Sequence, residues 1–568
     1  MINFGTEYFP KAGGEILGSV VIGGTAQAAS LDSTPIGQTT PAAGAFTTLT
    51  AINIVSLPVN DIGDPGAAGF GVGICPPAQL PAGFTPLPGY SLAVSHPQYG
   101  NYQYDDGSVM VWVPKFYYRV GHASNPTFGV HGVNSVDIKS IFDFESTAAA
   151  NAAGYALHRA FIDGGVEQPG FFVDKYGCSK NAKGSGWVAS SIKNANPIST
   201  AAAHNPISAL SAVSLGDIYA SVIQAAKGRT GANGALDASS IFHCTSRFQY
   251  AALALLALAH GQASSATTNC AWYHVTLNYP KGNNNNALRD TDDAAVLYTS
   301  DGYSNCGKTG SGIPFAKTTH NGQESGIADL NGNMWEIAIG VTAIASTKTI
   351  SGATKANPCV LTLNNTTDLV SGGICMITAV VGMTQLNDKI YTYQVIDGTT
   401  ISLNGVDSSA FTDYASAGTL TFGVFYVAKT ATAMKNFTPG NTLATDHWGA
   451  TGVAAMMEAF APAFKTAAGA FAQRFGSGAN QVLSEAVSGA AWLLSGLGLP
   501  KDAAGMGTTG TDLFGKDFFY QYIRNELCLL SSGDWGYGSD AGVWNVSWGD
   551  YRTNSGNSVG FRCAAYLS

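Results

Sequence analysis

ADLNGNMWE at residues 328–336 and VGFRCAA at residues 559–565 are the two stretches on which the fold of this chain turns. In the first, Trp335 reads most simply as a core aromatic, as do Trp112 and Trp187 elsewhere. Asp329, Asn331 and Asn333 alternate as in a calcium loop, but an EF-hand needs Gly at its sixth position and a distal Glu, and Gly332 stands at the fourth. Just ahead of the second stretch, residues 532–562 read SGDWGYGSDAGVWNVSWGDYRTNSGNSVGFR. Trp544, Val546 and Trp548 alternate there with Asn545, Ser547 and Gly549, the period of a strand with one apolar and one polar face. With the Trp face in the core, Asn545 and Ser547 and the flanking loops would form a display surface able to vary without disturbing packing. Asp534, Tyr537, Ser539, Asp540, Asp550, Tyr551, Asn554 and Asn557 add to it the Tyr, Ser, Asp and Asn that paratopes use for adaptable contacts. The plainer alternative is that these are ordinary polar residues of a Gly-rich hairpin.

The two stretches resemble the signatures of the formylglycine-generating-enzyme branch of the C-type lectin fold. EQPGFFVDKYGCS at 167–179 is similar to an early strand of the same fold, and the resemblance covers roughly 108–340 and 423–568. That branch includes the variable proteins of diversity-generating retroelements, among them phage major tropism determinants, whose tails resemble 532–562. The resemblance implies receptor binding, and with it retroelement diversification of the Asn-rich tail as a hypothesis. The enzymes of the branch bind copper through two neighbouring Cys just before GFRCA. Here that place reads NVSWGDYRTNSGNS, 545–558, Cys563 belongs to the signature itself, and Cys528 is too far upstream. A fold without its catalytic residues is the expectation: no enzyme, no catalytic site and no cofactor. Because the fold often holds a structural calcium, loop 289–293, RDTDD, is its candidate place.

Outward from this domain, residues 31–51, LDSTPIGQTTPAAGAFTTLTA, resemble a motif near the N-termini of phage tail fibre proteins. The first fifty residues are too poor in large apolar side chains to bury a core alone, so they read as an arm ordered by partners. Pro at 58, 65, 76, 77, 81, 86 and 88 marks a turn-rich connector. VMVWVPKFYYR, 109–119, reads as a buried strand broken at Pro114. Ser246 before RFQYAALALLALAHG gives a capped, nearly all-round apolar helix with Gly261 as its stop. A second helical pattern, with Met457, Phe460, Phe464, Phe471 and Phe475, runs over 453–475 around Pro462. Residues 341–427 lose helical periodicity. Their Gly382, Met383, Gln385, Leu386, Asn387, Tyr391, Gly405, Val406, Asp407, Tyr414 and Gly418 resemble a small β module that phage tail proteins share with the first catalytic cysteine half-domain of ubiquitin-activating enzymes. In phage proteins that module implies a structural insert.

Composition narrows the classes further. The chain has 568 residues, suggesting several modules, and only 11% are charged against roughly 25% in ordinary soluble domains. A net charge of −9 with no basic run argues against nucleic acid. The longest apolar run, 251–259, is too short for a bilayer, and the start lacks a signal pattern, so a soluble protein not conventionally secreted is expected. Nine Cys, none closer than sixteen positions to another, fit buried thiols rather than zinc sites or a disulfide framework. GYSNCGKT, 302–309, matches the phosphate-loop pattern, but Gly310, Gly312 and Pro314 deny it the helix it requires. Gly556, Ser558 and Gly560 match a nucleophile elbow with no His downstream.

The expected fold is therefore α+β and β-rich: a C-type lectin, formylglycine-generating-enzyme-like fold with an inserted small β domain and an extended N-terminal arm. The expected divisions are an attachment and trimerisation arm, 1–51, a connector, 52–107, the lectin-like domain in two parts, 108–340 and 428–568, and the insert, 341–427. The expected function is a virion tail fibre protein, made in the host cytoplasm and trimeric. It would bind a host surface receptor, protein or glycan, through the C-terminal domain and tail or baseplate proteins through the arm. The alternatives are a structural tail protein with a decorative lectin-like domain and a copper-dependent oxidase.

Overall fold

The β-branched and aromatic run at 109–119 forms two strands, Val109–Pro114 and Phe116–Val120, and the chain leaves the first sheet directly after Pro114. Proline has no N–H to continue a ladder, so the break falls where expected. The computed structural model describes residues 59–214, 217–275, 277–429, 457–466, 471–475, 482–507, 514 and 516–567. The arm at 1–51 with its fibre motif, the start of the connector and 430–456 lie outside the described residues. Secondary structure is 17% helix and 30% strand, a β-rich α+β protein.

A six-stranded sheet runs in the order Phe84–Pro86, Asn101–Tyr104, Val109–Pro114, Gly170–Asp174, Cys563–Ala565, Phe242–Cys244. The last strand of the chain thus lies inside the sheet that the first strands begin. Trp112 and Trp335 are buried as expected, whereas Trp187 is 44% exposed. It sits on the two-stranded hairpin 179–190, whose outer face meets solvent, and Lys180 covers its ring at 4.4 Å. All nine Cys are buried free thiols.

Helix Arg247–Ala263 is buried along nearly its whole length, in keeping with its all-round apolar sequence. Its start is a capping box: Gln249 N donates to Ser246 Oγ at 3.3 Å, and Ser246 N donates to Gln249 Oε1 at 2.9 Å. Gly261 does not stop the helix. It lets the Trp272 ring approach, since a Cβ there would lie 2.9 Å from that ring.

A seven-stranded sheet carries the tail, in the order Met506–Gly507, Ala472–Phe475, Phe518–Tyr520, Val546–Tyr551, Leu527–Ser531, Trp335–Ala338, Val559–Gly560. The helix expected over 453–475 is not formed: its described parts contain strands Met457–Phe460 and Ala472–Phe475. Phe460 pairs with Phe425, and Phe475 with Met506, so ladder bonds and apolar contacts override a three-to-four spacing that Pro462 already interrupts. Residues 341–428 form six strands, Val341–Ala353, Val360–Leu363, Thr400–Leu403, Lys389–Val395, Ile374–Thr378 and Thr419–Ala428 in sheet order, with the last pairing back to the first to close a barrel. Ile350, Leu361, Cys375, Tyr393, Ile401 and Leu420 fill it. No helix among the described residues is long and apolar enough to cross a membrane.

Candidate recognition surface

The three stretches quoted from the sequence meet at one buried side chain. Arg562 donates from Nε to Glu336 Oε2 at 2.6 Å and from Nη2 to Glu336 Oε1 at 2.5 Å. It also donates from Nη1 to the carbonyl of Asp174 and from Nη2 to that of Ala328, both at 3.1 Å. A two-pronged guanidinium–carboxylate pair fixes angle as well as distance. Asp174 is itself clamped by Arg229 at 2.6 and 2.9 Å and accepts from Cys563 N at 2.8 Å.

The polar residues of 328–336 hold loops. Asp329 accepts from Gly310 N at 2.7 Å and Tyr298 OH at 3.1 Å, and burial raises its pKa. Asn333 exchanges bonds with the backbone of Gly307 at 2.7 and 3.0 Å, and Asn331 donates to the Pro280 carbonyl. Gly332, at φ +115°, lies where a Cβ would meet the Asn283 carbonyl at 2.5 Å. The segment therefore pins loops 280–284 and 298–310 against the tail.

Upon this frame sits loop 532–540. Gly538 N donates to Asn284 O at 2.6 Å, and Asn286 N donates to Trp535 O at 2.7 Å. Asp534 closes a turn on Gly536 N at 2.9 Å, and Ser539 Oγ donates to Asp292 Oδ1 at 3.3 Å. Asp540 pairs with Arg474 at 2.6 Å, yet burial still raises its pKa. Tyr537 packs edge-on against Trp335 at 4.8 Å, and burial raises its pKa.

The expected site residues do not share one face. Strand Trp335–Ala338 is antiparallel to Leu527–Ser531, which is antiparallel to Val546–Tyr551, while Val559–Gly560 runs parallel to the first. Loop 552–558 must therefore return along the sheet, bringing Asn557 to the end that carries 532–540. Asp550, Tyr551 and Asn554 stay at the other end, Asp550 being four strand steps or about 13 Å from Val546. Tyr551, 42% exposed, lies there under Arg524 at 4.8 Å, and Asn554 Nδ2 donates to Asp550 Oδ1 at 2.5 Å. Burial raises the pKa of Asp550.

Asn545 and Ser547 are not displayed. Asn545 is 0% and Ser547 8% exposed: Ser547 lies on a central strand of the sheet covered on both faces, and Asn545, in the turn just before that strand, is buried under loop 532–540. Asn545 Nδ2 donates to the Asp540 carbonyl at 2.8 Å, a brace for the loop above it.

Sequence reading missed an aromatic–polar cluster at the 532–540 end. His204 stacks on Tyr303 at 4.1 Å and meets Trp535 edge-on at 6.0 Å. Its Nδ1 donates to the Asn557 carbonyl at 2.7 Å, and its Nε2 lies 2.6 Å from Asp301 Oδ2. Its pKa is raised: burial opposes the charged form, but the Asp301 carboxylate and the Asn557 carbonyl outweigh it. Trp535 stood in the quoted tail without a role; His204 and Asp301, far apart in sequence, carried no joint signal.

The other quoted motifs are held by contacts within the protein. Within 302–309, Cys306 N donates to Tyr303 O and Asp301 N to Cys306 O, both at 3.0 Å, so the loop folds on itself and no helix follows. Ser558 lies in a turn, its carbonyl accepting from Trp335 N at 2.8 Å. In the candidate calcium loop, Lys516 holds Asp292 at 3.1 Å, Lys317 holds Asp293 at 2.9 Å, and Asp290 accepts from Gly282, Asp292 and Asp293 N. Those carboxylates accept from protein donors.

No protein-family model matches the chain, and no curated protein matches it.

Proposed function

We propose that the chain is the receptor-binding protein of a phage tail fibre. A C-type-lectin-like domain of the formylglycine-generating-enzyme branch, interrupted by the 341–427 barrel, meets the host surface, and the N-terminal arm faces the virion. The observation that carries this reading is the end of the tail sheet. There loops 282–293, 301–306, 532–540 and 556–558 together present Asn286, Tyr303, Asp534, Trp535, Ser539 and Asn557 above a frame locked by Arg562 and Glu336. Recognition commonly uses polar and aromatic loops on a rigid scaffold.

A trimer would add avidity, letting weak contacts with a repetitive surface hold a virion. Retroelement diversification would act on the exposed loop residues, because changes at Asn545 or Ser547 would disturb buried bonds. The absence of Cys from 545–558 favours adhesion over oxidation.

The test is binding of the labelled full chain to intact cells of a panel of bacterial strains. Saturable binding to at least one strain, displaced by excess unlabelled chain, is expected. Binding to none would favour a purely structural tail protein, and copper-dependent oxidation of a Cys-containing peptide would favour the oxidase.

A further inference from the structure

His204, Asp301 and Cys306 bring one nitrogen, one oxygen and one sulfur within 4.8 Å of one another. They come from two places in the chain, the loop at 204 and loop 301–306, and meet beneath the half-exposed Tyr303, between exposed Gly302 and Ser304. Each side chain is oriented by a partner outside the cluster. A carbonyl oxygen can only accept, so His204 Nδ1 carries the proton shared with Asn557 O at 2.7 Å, and Nε2 is the nitrogen turned inward. Asp301 Oδ1 accepts from Tyr303 N at 2.8 Å, leaving Oδ2 turned toward Nε2. Outside the cluster the buried Cys306 sulfur has long contacts, to the Gly307 carbonyl at 3.6 Å, Met334 Sδ at 3.7 Å and Asn333 Oδ1 at 4.0 Å, and within it the Asp301 carboxylate is its polar neighbour. An imidazole whose outer nitrogen donates to a carbonyl, and a carboxylate held by a backbone N–H, are the usual supports of metal ligands.

We propose that His204 Nε2, Asp301 Oδ2 and Cys306 Sγ bind a zinc ion, which ties the Asn557 edge of the recognition surface to loop 301–306. The ion takes the place of the proton between Nε2 and Oδ2 and of the thiol proton, releasing both to solvent. Zinc–nitrogen and zinc–oxygen bonds of about 2.0–2.2 Å at a tetrahedral angle separate two such ligands by about 3.3 Å. Opening the 2.6 Å His204–Asp301 contact by about 0.7 Å suffices, a rotamer-scale adjustment in a loop. Three protein ligands leave a fourth position for water.

The molecule contains its own control. Asp174, Cys178 and Cys563 also gather three ligand atoms, but the Arg229 guanidinium already lies there, 2.6 Å from Asp174 and 3.7 Å from Cys178 Sγ. A resident cation with two-pronged geometry excludes a second one.

The test uses reduced, chelator-stripped full chain titrated with Co(II) as a spectroscopic stand-in for zinc. One equivalent should give a thiolate-to-cobalt charge-transfer band and the strong visible bands of a tetrahedral ion, all bleached by zinc. Cys306→Ser should abolish the charge-transfer band, His204→Gln should weaken binding at least tenfold, and Cys178→Ser should change neither. X-ray absorption of the zinc-loaded wild type needs no variant, and should show one sulfur at about 2.3 Å with nitrogen and oxygen at about 2.0–2.2 Å. The proposal is overturned by no charge-transfer band at one equivalent, by a band that survives Cys306→Ser, or by a zinc shell without sulfur. The cluster is then a buried imidazolium–carboxylate pair beside an inert thiol.

Discussion

Arg562 shows how a single side chain can join distant parts of a chain: its partners are at 174, 328 and 336. Both members of the Arg562–Glu336 pair are essentially excluded from water. Leaving one buried charge without its partner typically costs about 3–5 kcal/mol. Glu336→Gln should therefore lower the urea midpoint markedly, while Glu336→Leu with Arg562→Met should recover part of the loss; equal loss in both would contradict the account. Asn545→Ala should cost about 1–3 kcal/mol, because the Asp540 carbonyl of the loop above loses its donor. Asp534→Ala, on a half-exposed turn, should change stability by less than about 0.5 kcal/mol. The same unfolding curves check both. At this scale the sequence was informative about identity and silent about partners. The period-two pattern at 544–548 anticipated that Trp544 and Trp548 are buried, but the strand begins only at Val546, and alternation cannot tell that the second face of a central strand, at Ser547, is also covered.

Helix Arg247–Ala263 was legible because its cap and its apolar run are local signals, and it misled only at Gly261. Gly261→Ala separates the two readings of that residue. Helix propensity alone favours Ala by about 1 kcal/mol, whereas overpacking a Cβ 2.9 Å from the buried Trp272 ring costs about 1–3 kcal/mol. A net destabilisation, read as a lower thermal midpoint, is expected; a rise would show that the ring moves freely. The stretch 453–475 failed for the opposite reason. Its apolar spacing mimics a helix, but Met457–Phe460 and Ala472–Phe475 are decided by strands far away in sequence. The β character of 341–427 was visible as lost periodicity, while closure of the barrel rests on the long pairing of Val341–Ala353 with Thr419–Ala428, which no local pattern announces.

At the scale of the whole molecule, three buried histidines among the described residues weaken the fold in acid. His158, His260 and His320 are fully buried, and each accepts a backbone N–H at Nδ1, from Ala160, Gly66 and Ile327 respectively. Burial holds their pKa values down at about 3, about 4 and about 3, so all three fold neutral. Below the ordinary histidine value near 6.5 the unfolded chain binds protons that the folded chain does not, and stability falls with pH. Each histidine takes away at most about 1.4 kcal/mol per pH unit between about pH 6 and 4, and the raised carboxyls of Asp329, Asp540 and Asp550, which take up protons in the fold, oppose part of that loss. Urea midpoints at pH 6 and 4 for the wild type and His320→Gln check this: the variant should lose less stability on acidification, and an equal loss would show His320 protonated in the fold. The proposed recognition surface belongs to this scale too, because pairing directions split the expected residues between two ends of one sheet and sequence order could not show it. The decisive measurement is binding of the full chain to intact bacterial cells after loading either end with bulk and charge. Ser539→Arg with Asn557→Arg alters the end carrying 532–540; Tyr551→Glu with Asn554→Arg alters the other. The account predicts at least a tenfold loss for the first pair and none for the second, with folding unchanged in both. Loss confined to the second pair, or to neither, would contradict it.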